Sequence, residues 1–115
     1  MRENVKDKSR LEHILESINY IFDFTQGISF DDFKTDMKSQ FAIIKNLEIT
    51  GEASYKLINE FREQHHGVPW RKVIGLRHVL VHGYYQIKSE IIWEIIQKDL
   101  LPLKGKIQQS YDSII

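Results

Sequence analysis

Apolar residues recur along this chain at intervals of three and four rather than two, in stretches separated by glycine and proline. Leu11, Ile14, Leu15, Ile18 and Phe22 form one stripe, which predicts a first helix from about Lys6 to Gln26 with Gly27 as its stop. Ser29 is placed to cap a short helical turn, with Asp32 at the third position, where a carboxylate suits the positive end. A long pattern follows from Asp36 to about Gln64. In it Met37, Phe41, Ile44, Leu47, Leu57 and Phe61 are the inward candidates, and a break falls near the middle at Gly51, Ala53 and Ser54, whose small side chains suit a close helix crossing. "HHGVPW" reads as a loop, and Pro69 followed by Trp70 opens a helix that runs to about Val81 or His82, with Gly83 placed to end it. Ser89 is placed to cap the next helix, which Pro102 kinks or divides before "LKGKIQQSYDSI". The pattern predicts an all-α fold, an antiparallel bundle of four to five helices, in which Trp70 and Trp93 pack in the core or an interface.

Length and charge narrow the function more than the fold. At 115 residues the chain is read as a single domain, 1–115, able to bury a core of moderate depth that a partner subunit would extend. Its formal charge is zero, so any nucleic-acid site must be local rather than a property of the whole surface. The absence of cysteine excludes a disulfide framework and a thiol nucleophile, and removes the soft ligands of most structural zinc sites. The N-terminus, "MRENVKDKSRLEH", is charged and unlike a signal peptide, and no apolar run approaches the roughly 18 residues of a membrane span. The expectation is a soluble cytoplasmic protein with no membrane contact.

The chemistry concentrates in "WRKVIGLRHVLVHGYY". Arg77 and His82 lie five residues apart, about 140° around a helix and about 7.5 Å along it, a gap that the reach of arginine can close. If the helix ends at Gly83, His82 sits at its negative end, where the imidazolium is favoured. An arginine that clamps phosphate and a histidine that moves a proton near neutral pH suffice for metal-free RNA cleavage, because the 2′-hydroxyl supplies the nucleophile. No acidic residue occurs between Glu63 and Glu90, whereas Arg71, Lys72, Arg77 and Lys88 do, giving one basic, histidine-rich zone. Plainer readings stand beside this one. A buried Arg and His also form structural networks. His78 and His82 have the i, i+4 spacing of a metal-binding pair, with His65 and His66 as further ligands, although HExxH and a clear carboxylate partner are lacking. Tyr84 and Tyr85 also read as aromatic packing at a helix end.

With these residues in place, "RHVLVHGY" resembles the R-x4-H-x-Y signature of the HepT-like branch of the HEPN ribonuclease toxins, on Arg77, His82 and Tyr84. The resemblance extends through "LEHILESI", "QFAIIKNLEITGEASYKL" and "IIWEIIQKDLLPLK". It implies a HEPN-like helix bundle that forms a homodimer, a shared cleft where the Arg and His of both subunits meet, and RNA cleavage without metal or cofactor. Arg77 would then bind the scissile phosphate and His82 act as acid or base, with His78, Arg71 and Lys72 supporting the site or the substrate. The family implies a partner as well, a minimal nucleotidyltransferase antitoxin that transfers AMP to the motif tyrosine, here Tyr84. Two positions depart from the pattern. His78 stands where the branch commonly has Asn, and Gly83 replaces an acidic residue often found before the tyrosine. Those departures keep a second reading open: a non-catalytic HEPN module that binds RNA, a nucleotide or the nucleotidyltransferase. Glu48 and Glu52, in "NLEITGEA", are read as helix packing or dimer contact.

Overall fold

The computed structural model describes the backbone of residues 2–114 and the side chains of 6–83 and 85–114. Among these residues the regular structure is all helical. Four long members make the bundle: α1 (Arg2–Thr25), α3 (Met37–Lys56), α5 (Trp70–Gly83), and a last rod in which α6 (Ser89–Glu94) passes through a π-helical turn (Ile95–Asp99) into α7 (Leu100–Asp112). Two short helices, α2 (Phe30–Thr35) and α4 (Asn59–Gln64), join them. α3 packs on α1 and α5, α1 also packs on α7, and α2 bridges α3 and α6. The shortest extent of the molecule is 20 Å, about two helix diameters, so the long helices carry a core face and a face near solvent. Among the described residues no helix is long and apolar enough to cross a membrane.

On α1 the buried stripe is Leu11, Ile14, Ile18 and Ile21, with Leu15 and Phe22 packed at its margins. The helix stops before Gly27, whose φ of 77° is the left-handed conformation that glycine adopts without a Cβ penalty. Ser29 and Asp32 form a reciprocal capping box on α2, satisfying two otherwise orphaned N–H groups. α2 in turn buries Phe33 against the indole of Trp93, with ring centroids 5.2 Å apart.

The long pattern after Asp36 is two helices rather than one. α3 runs unbroken through Gly51, Ala53 and Ser54, and the chain leaves helical geometry later, at Leu57 and Ile58 (ψ 143° and 151°). Neither Gly, Pro nor a side-chain cap marks that break. Its effect is tertiary, since it buries Leu57 and turns α4 so that Phe61 meets Trp70 edge-on at 6.4 Å. Met37 and Phe41, expected inward, are 64% and 48% exposed. The buried stripe of α3 is Ile43, Ile44, Leu47, Thr50 and Ser54, and Phe41 sits about 120° from Leu47 around the helix. The Thr50 and Ser54 hydroxyls donate to the carbonyls of Asn46 and Thr50, so they enter the core without unpaired donors.

Two features of the last rod also differ from expectation. Lys88 occupies the N-cap of α6 with no side-chain cap bond, and Ser89 is the first helical residue. Pro102 does not divide the rod. The π-helical turn that ends three residues before it, in which the Leu100 N–H donates to the Ile95 carbonyl, shifts the hydrogen-bond register ahead of the residue that lacks an N–H.

Candidate functional site

The site is built on the crossing of α3 and α5. The start of α5 is fixed by Trp70, nearly buried, whose Nε1–H donates to the His65 carbonyl at 3.0 Å. From there Leu80, fully buried, holds α5 to the core. The two helices approach closest at Gly51. A Cβ at that position would lie 2.2 Å from Cβ of Arg77 and 3.0 Å from the Val73 carbonyl oxygen, so only glycine permits this approach. The small-residue segment thus does form a close crossing, and Arg77 is the residue that crosses there.

Laid over α3, the Arg77 side chain reaches Glu52, with Nη2 2.7 Å from Oε2. The contact is an ion pair with a buried carboxylate oxygen. Lys56 lies 3.7 Å from the other carboxylate oxygen. Glu52 therefore holds the guanidinium through one nitrogen, and an arginine has further N–H donors with which to meet a phosphate. The zone that is acid-free along the sequence is not acid-free in space, because α3 supplies Glu52 and Glu48 to it. Glu52 thereby acquires a chemical role that spacing alone did not indicate.

Arg77 opens onto a cavity of about 710 Å³ between α1, α3 and α5. α1 contributes Lys6, Arg10 and His13 to its wall and α3 contributes Lys45, none of which stood out in the sequence. A signal was present: Lys6, Arg10 and His13 follow i, i+4, i+7 spacing, and Lys45, Glu52 and Lys56 share a face of α3. The histidines of α5 lie elsewhere. His78 and His82 are exposed on the outer side of the helix, their rings 4.6 Å apart and inclined by 53°. Neither lines the cavity of Arg77. Arg71 faces a different hollow, with Arg62 and His66, and Lys72 a third, with Lys98 and Lys106. Gly83 is the last residue of α5, and the chain continues in a 3-10 turn, Tyr84–Gln86. The side chain of Tyr84 lies outside the described residues. Among the described residues no group of three or more His, Asp or Glu side chains is arranged to hold a metal ion.

The sequence family described as Ribonuclease HepT-like matches residues 14–110, which include α3, α5 and the Arg77 to Tyr84 motif. The chain belongs to the HepT-like ribonuclease family. It is 41% identical over 102 residues to a probable ribonuclease HepT of Thermococcus cleftensis, covering 89% of this chain and 93% of that one. A putative RNase of Methanocaldococcus jannaschii is 38% identical over 101 residues, 88% of this chain and 93% of the relative. Another, from Caldanaerobacter subterraneus subsp. tengcongensis, is 40% identical over 99 residues, 86% and 88% of the two chains. No solved structure matches the chain. The HepT-like match begins at residue 14, so Lys6, Arg10 and His13 precede it.

Proposed function

We propose that this protein is a single-domain, metal-independent endoribonuclease of the cytoplasm, acting as the toxin of a toxin-antitoxin pair. The observation that carries the reading is Arg77, held by an ion pair to Glu52 over a cation-rich cavity in a chain of the HepT-like ribonuclease family. In this mechanism Arg77 clamps the scissile phosphate and stabilises the charge that grows on it. A histidine accepts the 2′-hydroxyl proton as that oxygen attacks phosphorus, and a second acid protonates the departing 5′-oxygen. One chain provides Arg77 and His82 on different sides of α5, so a homodimer completes the site by bringing the motif residues of two copies together. His78, its ring against that of His82, orients or assists the proton carrier, while Arg71 and Lys72 support the substrate farther along α5.

Regulation in this reading falls on Tyr84. A minimal nucleotidyltransferase antitoxin transfers AMP from ATP to its hydroxyl, releasing pyrophosphate. The product places a phosphate and a nucleotide beside the Arg77 and His82 motif, where they compete with substrate. The test is RNA cleavage by purified protein shown by mass to be free of AMP. Wild type is expected to cut in EDTA and to leave 2′,3′-cyclic phosphate ends, whereas Arg77→Ala and His82→Ala should each lose about 100-fold or more. Undiminished cleavage by both variants overturns the mechanism.

The Glu52 carboxylate at 2.7 Å from Arg77 is the observation that favours a second reading, a non-catalytic HEPN module that binds RNA, nucleotide or the nucleotidyltransferase. Binding without cleavage by AMP-free wild-type protein would decide for it.

A further inference from the structure

α1 divides its charges between two faces. Lys6, Arg10 and His13 turn to the Arg77 cavity, whereas Glu12, Glu16 and Asp23 turn to the opposite side, toward α7. With Lys45 and Lys56 from α3, the cavity wall carries five Lys and Arg side chains, Arg77 included, against the two carboxylates of Glu48 and Glu52. A chain of zero net charge has thus gathered nearly a third of its 16 Lys and Arg residues around one groove. One of them is held in place from beneath: Asp7 is fully buried, and its Oδ1 accepts from Nη1 of Arg10 at 3.3 Å while Oδ2 has no hydrogen-bond partner. Among the described residues Arg10 is the cation that offsets this buried carboxylate, which fixes Arg10 at the groove edge.

We infer that this groove binds the RNA backbone on one side of the cut, with Lys6, Arg10 and Lys45 contacting phosphates beyond the one held by Arg77. The inference rests on the ribonuclease reading of Arg77 and adds the path of the substrate. The wall from Lys45 to Lys56 follows about 16 Å of α3, long enough for more than one phosphate. Among the described residues no Phe, Tyr or Trp lines the groove. Its described wall offers cations rather than base-stacking platforms, which suits contact with phosphates rather than with base edges. An acidic protein partner is the competing occupant, but the apolar surface offered for such a partner is limited to Ile49, Ala53 and Val81.

The test uses the full-length double variant Lys6→Gln, Lys45→Gln. Both side chains are exposed, and Arg10 is left in place because Asp7 depends on it. Binding is measured with a 2′-O-methyl RNA oligonucleotide, which cannot be cut, across a series of salt concentrations. Each lost phosphate contact on a single strand lowers the slope of log affinity against log salt by about 0.7, so the expected reduction is about 1.4. In cleavage, KM for long RNA should rise several-fold with kcat unchanged, while cleavage of a dinucleotide stays at the wild-type rate. An unchanged slope and KM overturn the groove, whether or not a protein partner is lost. Equal losses on dinucleotide and long RNA overturn it too, since they would place the lysines at the reacting phosphate. Should the double variant lose helix content, Lys45→Gln alone, with an expected slope change of about 0.7, decides the matter. The binding arm needs no catalysis. A wild type that cuts neither substrate refutes the ribonuclease reading and leaves the salt slope to judge the groove.

Discussion

Arg77 is defined by what Gly51 lacks. The Cβ that any other residue would add at position 51 meets Arg77 at 2.2 Å and the Val73 carbonyl at 3.0 Å, and the second of these belongs to backbone, which cannot rotate away. In Gly51→Ala, alanine's better helix propensity, about 1 kcal/mol, opposes an overpacking cost of about 1–3 kcal/mol from separating α3 and α5. The net expectation is a loss of stability of about 1 kcal/mol and a melting temperature lower by several degrees. Cleavage should fall further than stability, at least tenfold, because the shift moves the Arg77 stem away from Glu52 and the groove. Thermal unfolding and RNA cleavage measured on the same preparation check both parts. A variant with wild-type melting and wild-type activity would show that the crossing does not set the arginine.

At the scale of elements, local chemistry governs where the helices begin. Asp36 caps α3, accepting from the Ser39 N–H at 3.2 Å and the Ser39 hydroxyl at 2.7 Å. The Ser39 hydroxyl, followed by the Ser39 N–H, holds this carboxyl below its ordinary value of 3.8. A carboxyl depressed by folding stabilises fully above its unfolded value and loses that contribution as the pH falls through the folded one. Below about pH 4 the wild type should therefore lose stability that Asp36→Asn never had, and the two acid-unfolding curves should converge. Curves that stay parallel down to pH 2 would remove Asp36 from the pH dependence. Such caps are legible in sequence because they depend on neighbours three residues apart, as with Ser29 and Asp32, and so is the motif from Arg77 to Tyr84, whose residues lie within eight positions at the end of α5 and the turn after it. The phase of α3 was not legible. Met37 and Phe41 are as apolar as Ile43, and only packing against α1 and α5 settles which of them is buried. The break at Leu57 and the groove wall of Lys6, Arg10 and Lys45 likewise depend on elements that meet in space rather than along the chain.

For the molecule as a whole, the proposed chemistry requires that Arg77, in its groove, and His82, on the outer side of α5, work on one phosphate. Exposed Gly75, His78, Val79 and His82 follow i, i+3, i+4, i+7 spacing, so they form one stripe along that outer face. Val79 is 50% exposed within the stripe. In the proposed homodimer this stripe meets its own copy across a two-fold axis, which buries Val79 and lets the histidines of both chains face a common cleft. A charge at its centre tests the arrangement without touching the core, since Val79→Glu places two carboxylates against each other at the axis and leaves Leu80 in its packing. Wild type should sediment near twice the 13.7 kDa of one chain, and Val79→Glu near the single mass with unchanged helix content. Cleavage by the variant should fall with the dimer fraction and recover as protein concentration is raised, because association rather than the reacting groups has been weakened. A monomeric variant that cuts RNA at the wild-type rate would mean that one chain holds the complete site. His13, which shares the groove with Arg77, would then be the imidazole to examine in place of His82.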